Sequence, residues 1–184
     1  IVIPVFNEES NIKILYNEII ASINFTDDYE IIFVDDGSND NSLEIINSLV
    51  KNDIKVKLIS NVSNDGQSKS IYNGIINSKS NNILTIDADL QNDPNDIPIL
   101  HNVYTKNHSN CLVSGVRKKR MDSFLKKISS YLANKIRSFY LKDNCRDTGC
   151  SLKMFPKKIF LKFDFFDGMH RFIPALFIGF GYAV

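Results

Sequence analysis

Asp87-Ala88-Asp89 carries the most concentrated chemistry in this sequence. Ile83 to Asp87 reads as a buried strand, and residues two apart in an extended segment project to the same side. Both carboxylates then face one point, and Gln91 continues the alternation if the backbone stays extended. Two carboxylates and an amide oxygen are hard ligands that suit Mg²⁺ or Mn²⁺ and leave positions open for phosphate oxygens. The expected metal ligands are therefore Asp87, Asp89 and Gln91. Three other apolar runs also end in polar groups: Pro4-Val5-Phe6-Asn7-Glu8, Asp35-Asp36-Gly37-Ser38 and Ser114-Gly115-Val116-Arg117. In an open parallel sheet the carboxyl ends of the strands form the ligand-binding rim, so four such ends predict one shared site. Arg117 begins a basic cluster with Lys118, Lys119 and Arg120 that fits a phosphate group beside that site.

The elements needed to position these residues follow from the apolar pattern. Ile1 to Phe6, Glu30 to Asp35, Val56 to Ser60, Ile83 to Asp87 and Cys111 to Val116 are short and rich in Ile, Val, Leu and Phe, as buried parallel strands are. Helices fall between them. Ile12, Leu15, Ile19, Ile20 and Ile23 recur at helical spacing, Leu43, Ile46 and Val50 mark a second helix, and Ile71, Tyr72 and Ile75 a third. Asp93 before Pro94 is an N-cap signal, with Ile97, Leu100 and Val103 or Tyr104 continuing the fourth helix. Such alternation predicts a single α/β domain with a mostly parallel central sheet and helices on both faces. Beyond Val116 the order changes. Asp122 caps a predicted long helix through Phe124, Ile128, Leu132 and Ile136, Ser151 to Phe155 reads as a strand, and Lys157–Phe163 and Met169–Phe180 read as helices, the second interrupted near Pro174.

The 184 residues fit one domain, and 43% hydrophobic with 23% charged residues is a globular composition. A net charge of +1 provides no global field toward nucleic acid, so bound anions must be held locally. Cys111, Cys145 and Cys150 form no C-x-x-C pair, and with three histidines they complete no zinc pattern. A reducing, cytosolic setting is expected. Ile1 already reads as strand and the chain ends in strand-like Tyr182-Ala183-Val184, so truncation at both ends is expected. The uncharged run from Phe172 to Val184 is shorter than the roughly 20 residues a membrane span needs, so no transmembrane helix is expected within residues 1–184. That run is either core or a membrane-surface contact. The sequence carries no signal for an oligomeric state.

Asp35-Asp36 alone also fits the acidic pair of a phospho-receiver domain. That reading requires an Asp ending the third strand and a Lys ending the fifth, whereas this chain has Ser60-Asn61 and Gly115-Val116-Arg117. A dinucleotide fold is excluded by the absence of G-x-G-x-x-G after the first strand. Taken in order, the Pro4–Glu8 segment, Val34-Asp35-Asp36-Gly37-Ser38-x-Asp40, Asn64-x-Gly66-Gln67 with Asn73-Gly74-Ile75, and Asp87-Ala88-Asp89-Leu90-Gln91-x-x-Pro94 resemble the motif series of family 2 glycosyltransferases. Arg146 to Lys153 and Asp167 to Ala175 resemble the branch that glycosylates polyprenyl phosphates, which includes dolichyl-phosphate mannosyltransferases and undecaprenyl-phosphate sugar transferases.

That resemblance implies a Rossmann-like GT-A domain over residues 1–184, with a nucleotide-sugar half to about residue 116 and an acceptor half from about 117. It implies inverting transfer, without a covalent enzyme intermediate, from a GDP- or UDP-linked sugar to polyprenyl phosphate at the cytoplasmic side of a membrane. Pro4, Phe6, Glu8 and Asp36 match nucleoside-holding positions, Asp87 and Ala88 the nucleotide sugar, and Asp87, Asp89 and Gln91 the metal site. Arg117 matches a residue that grips the acceptor phosphate, with Lys126 or Lys127 as a second contact. Asp147 falls where related enzymes place a catalytic carboxylate, and Arg171 is matched to the donor diphosphate. The alternative acceptor is a glycan hydroxyl, as in cell-wall or surface polysaccharide synthesis, which needs a general base because its proton is retained at neutral pH; a phosphate monoester, with second pKa about 6, is already ionised. His170, among apolar neighbours, is expected to be a hydrogen-bonding residue, and Cys145 and Cys150 inert thiols.

Overall fold

The structure, a computed structural model, describes residues 1–26, 28–107, 110–117 and 147–184. The predicted helix from Asp122, its Lys126 and Lys127, the basic residues 118–120 and Cys145 lie outside the described residues.

Strands β1 (Val2–Val5), β2 (Ile31–Asp35), β3 (Val56–Ser60), β4 (Asn82–Thr85), β5 (Val113–Ser114) and β6 (Lys153–Pro156) form one sheet in the order β3-β2-β1-β4-β6-β5. β1 pairs in parallel with β2 and β4, and β2 with β3. The mostly parallel sheet is thus present, with one departure. β5 does not lie beside β4; β6 is inserted antiparallel between them, pairing Thr85 with Lys153 on one side and Ser114 with Lys153 on the other. Strand direction is set by how the intervening chain returns, and the composition of Leu152 to Phe155 holds no trace of it.

Side-chain alternation on the strands divides the core in two. Ile3, Val5, Ile31 and Phe33 pack with α1 (Ile12–Ser22), α2 (Ser42–Asn52) and α4 (Ile97–Lys106) through Ile12, Leu15, Ile19, Ile46, Leu100 and Tyr104. Val2, Ile32, Val34 and Phe155 face α3 (Gln67–Ile76), α5 (Lys157–Phe160) and α6 (Ile173–Gly179) through Ile71, Ile75, Phe160 and Phe177. Each fully buried Ile, Leu or Phe stabilises the fold by about 1.5–3 kcal/mol. Helices therefore cover both faces, as the periodicity predicts. α3 sits unusually close to the sheet: a Cβ on Gly74 would meet Val2 Cγ1 at 2.4 Å and Val34 Cγ2 at 3.0 Å. That contact sets where the N-terminus of α3 meets the strand ends.

Two other boundaries differ from expectation. β4 stops at Thr85, so Asp87 to Asp89 belong to a turn. The Met169–Phe180 segment is a 3₁₀ turn, Met169–Arg171, followed by α6. The break falls at Phe172, and Pro174 occupies the first turn of α6, where its missing N–H leaves no bond unmade. The terminal strand-like residues make a single parallel bridge from Ala183 to Cys111.

Candidate active site

The loops after β1 and β2 are bound together by side chains accepting backbone N–H groups. Ser38 Oγ accepts from Asn7 N (2.9 Å), Asn7 Oδ1 from Asn39 N (2.8 Å), Ser42 Oγ from Glu8 N (2.9 Å) and Asp40 Oδ2 from Glu9 N (3.1 Å). Asn7 is held at φ 56, a left-handed conformation that asparagine tolerates. Gly37 has φ 73, and a Cβ there would stand 2.9 Å from the Ser63 carbonyl carbon, so the 61–66 loop closes over a position that only glycine fits.

Asp36 is 3% exposed and anchors that loop. Its Oδ1 accepts from Asn61 Nδ2 (2.7 Å) and Asp65 N (3.0 Å), and its Oδ2 from Gly66 N (2.9 Å). Gly66 is the N-cap of α3, so this carboxylate positions the helix start as well as the cleft wall.

After β4, Leu90 adopts φ 59 and Asp89 Oδ1 accepts from Gln91 N at 3.1 Å. This is an Asx turn, a conformation aspartate favours because its side chain bonds the backbone two residues on. The expected extended alternation therefore fails beyond Asp89. Gln91 is exposed and outside the cleft wall. Asp87 is held from two directions: Gln67 Nε2, on the first residue of α3, donates to its Oδ1 at 2.6 Å, and its own N–H donates to Ser151 Oγ at 3.0 Å. Ser151 Oγ also accepts from buried Asn92 Nδ2 (2.8 Å), and Thr85 Oγ1 donates to Ser151 O (2.6 Å). Burial, followed by the neighbouring Asp89 charge, pushes the Asp87 carboxyl up to about 6, while Ser151, Lys153 and Gln67 act in the opposite direction. None of Gln67, Ser151 and Asn92 was assigned a role from sequence, because such contacts join distant segments.

Two strands further along the sheet, beyond the end of β5, Arg117 and Asp147 form a two-pronged ion pair, Nε to Oδ2 at 2.9 Å and Nη2 to Oδ1 at 3.0 Å. Asp147 is 2% exposed. Lys153 is buried nearby and donates to Thr148 O at 3.3 Å and to Cys150 O. The Cys150 thiol is buried, donates to Asn92 Oδ1 (3.1 Å) and is pushed up by desolvation, consistent with an inert thiol. Arg171 is exposed at the end of the 3₁₀ turn and is absent from the cleft wall.

His170 is a hydrogen-bonding residue, with Nδ1 2.6 Å from Ser68 Oγ on α3. Burial first, then the charges of Arg171 and Lys153, lower its imidazole to about 4 from 6.5, against the opposite pull of Asp167. A histidine with a depressed folded value stabilises the native state fully above its unfolded value, and that contribution is lost as pH falls through the folded one. The window is therefore pH 6.5 down to about 4. After discounting for partial exposure, the expected loss is about 1–2 kcal/mol. Urea unfolding of His170→Gln should show a flatter decline across that window than the parent; identical slopes would place the acid sensitivity elsewhere.

Pro4, Val5, Phe6, Glu8, Asp36, Asn64, Gly66, Gln67, Ser70, Asp87, Ala88 and Asp89 line one open cleft of about 300 Å³. Every expected nucleotide-sugar position is in that wall. A larger cavity of about 520 Å³ opens at the opposite strand ends beside Ile1, Glu30 and Lys57, and it includes none of these residues. The acidic turn fits a divalent cation by its donor set: two carboxylates whose mutual repulsion a cation relieves. Among the described residues no cluster of three or more His, Cys, Asp or Glu could hold a metal. Two protein carboxylates completed by phosphate oxygens and water is the usual arrangement for Mg²⁺.

The open, mostly parallel sheet with this cleft across its strand ends is shared with solved GT-A glycosyltransferases. Glucosyl-3-phosphoglycerate synthase from Mycobacterium tuberculosis, solved with Mn²⁺, UDP-glucose and phosphoglyceric acid, superposes with a TM-score of 0.66 at 17% identity, over 86% of this chain and 56% of that one. Residues 1–163 match the model of Glycosyl transferase family 2, and the chain belongs to that family. It is 35% identical over 182 residues to a dodecaprenyl-phosphate galacturonate synthase from Rhizobium johnstonii, covering 97% of this chain and 54% of that protein. It is 33% identical over 179 residues to an undecaprenyl-phosphate 4-deoxy-4-formamido-L-arabinose transferase from Aeromonas hydrophila, covering 96% and 54% respectively. The chain thus spans about half the length of these relatives.

Proposed function

We propose that this chain carries the catalytic cleft of an inverting transferase that moves a sugar from a UDP- or GDP-linked donor to polyprenyl phosphate at the cytoplasmic face of a membrane. The observation that carries the reading is the single cleft joining Pro4, Phe6, Glu8 and Asp36 to the Asp87–Asp89 turn. The names of the polyprenyl-phosphate relatives support the acceptor. Pro4, Phe6 and Glu8 surround the nucleoside, with Asp36 accepting a base N–H, and Ala88 lets the diphosphate approach the turn. Asp87 and Asp89 hold Mg²⁺ or Mn²⁺, which when bound neutralises the charge that develops on the leaving diphosphate. Arg171, matched by resemblance to the donor diphosphate, would contribute further positive charge from outside the cleft wall.

Arg117 grips the acceptor phosphate, its guanidinium plane fixed by Asp147, and Lys126 or Lys127 adds a second contact. The ion pair favours this acceptor over a glycan hydroxyl. A hydroxyl acceptor needs a base, and Asp147, the residue expected for that role, is buried and committed to Arg117. Within the run from Phe172, Ile173, Pro174 and Phe177 are core, whereas Phe172 and Phe180 are exposed with Phe165 and Phe166, an aromatic surface suited to a bilayer interface. No helix among the described residues is long and apolar enough to cross a membrane. Comparing a short polyprenyl phosphate with the matching polyprenol, using full-length protein with Mn²⁺, tests the reading. Only the phosphate should be glycosylated; equal transfer to the alcohol would favour the hydroxyl acceptor.

A further inference from the structure

Among the described residues, Lys153 is a buried cationic side chain near the cleft that the proposed reaction leaves without a task. It is 3% exposed, at the first position of β6, inside the apolar run Leu152-Lys153-Met154-Phe155. A buried ammonium is costly unless its donors and charge are matched. Two of its donors go to backbone carbonyls of residues 148 and 150, Thr148 O and Cys150 O, in the loop that carries Asp147. The register pairs it with Thr85 at the end of β4, just before the acidic turn, and with Ser114 at the end of β5, just before Arg117. It therefore stands between the two halves of the site. Its charge reaches far enough to act on Asp87, Cys150 and His170.

From this placement, and resting on the reading of the cleft above, we infer that Lys153 is a positioning residue with two linked effects. Its ammonium props the loop that presents Asp147 to Arg117, and its fixed positive charge limits how tightly the Asp87–Asp89 turn holds a divalent cation. A transferase must release its nucleoside diphosphate after each turnover. Two carboxylates in one turn, with no opposing charge, would retain the cation and with it the product. Lys153, in register with Thr85 just before the turn, supplies the opposing charge without entering the cleft wall.

The sign of the effect separates this role from a merely structural one. Loss of a packing residue loosens the turn and weakens cation binding, whereas loss of a like charge near a cation strengthens it. Lys153→Met and Lys153→Gln are both neutral, and the glutamine keeps an amide donor for the loop should the methionine variant fold poorly. Free Mn²⁺ is read by electron paramagnetic resonance at pH 8, with and without UDP or GDP. The expected result is Mn²⁺ affinity tightened about 3–10-fold in the folded neutral variant, and unchanged within about twofold in Lys153→Arg, which keeps the charge. In turnover the neutral variant should lower kcat and the donor KM together, the pattern of a product held too long. Neutral variants that bind Mn²⁺ equally or more weakly than the parent overturn the Lys153 role alone. A parent chain that binds no Mn²⁺ with either nucleotide overturns the reading of the cleft and this role with it.

Discussion

An Asp89→Asn variant is expected to lose about 100-fold or more of its Mn²⁺-dependent affinity for UDP or GDP while unfolding within about 0.5 kcal/mol of the parent. Asp89 is a sharper target than Asp87 because of what each is bonded to. Asp87 is tied to Gln67 and, through its N–H, to Ser151, so changing it disturbs α3 and the segment before β6. Asp89 accepts from the N–H of Gln91, within its own turn, and an asparagine Oδ1 can accept the same bond. The substitution thus removes a charge and leaves the backbone in place. Titration calorimetry with each nucleotide, in Mn²⁺ and in chelator, measures the effect directly. Unchanged Mn²⁺-dependent affinity would remove the turn from the donor site.

Substitution of Arg117 should act on the other half of the reaction. Arg117→Ala is expected to lower kcat/KM for polyprenyl phosphate by about 2–4 kcal/mol, with donor affinity nearly unchanged. Because that change leaves Asp147 buried without the two-pronged partner seen here, it also costs stability, and Arg117→Lys is the cleaner probe. The lysine keeps a charge beside Asp147 but loses the planar fork, so it should recover only part of the activity. Asp147→Asn then identifies the carboxylate's task. If Asp147 orients the guanidinium, its loss should resemble Arg117→Lys and raise the acceptor KM; a collapse in kcat with the acceptor KM unmoved would make it a base.

The parallel half of the fold was legible because each buried strand is a short β-branched run with a turn signal after it. Val56–Ser60 falls where the pattern places it, and Ile31–Asp35 within one residue. Convergence of the polar ends after β1, β2 and β4 on one cleft was legible for the same reason, since parallel strands place their carboxyl ends on one rim, whereas the fourth predicted end, Ser114 to Arg117, stays outside that cleft wall. The local backbone at the acidic motif was not. Asp89 satisfying the Gln91 N–H rotates the chain out of the extended form, and the choice between strand and Asx turn depends on β4 ending at Thr85. The partners of Asp87 were invisible for a different reason: Gln67 and Ser151 lie 20 and 64 residues away, and pairing at that range depends on topology. Lys153 did leave a signal, a lone lysine in an apolar strand run, and such a residue is seldom buried without a purpose.

The antiparallel insertion of β6 also shapes how the chain must come together as it is made. Everything through β4 can pair as it leaves the ribosome, since β1, β2 and β3 find neighbours within the first 60 residues. The outer edge of β4 then waits for residues 153–156, almost 70 positions later. During that interval a nascent chain displays the unpaired backbone of Asn82–Thr85, a template for association with other chains. The same late segment brings Ser151 to the Asp87 N–H, so the acidic turn, held from the other side by Gln67, gains its second anchor only when residue 151 arrives. Assembly of the donor pocket is thereby timed to the last strand of the sheet, and a chain interrupted before residue 151 would expose a sticky edge and an unfinished turn together.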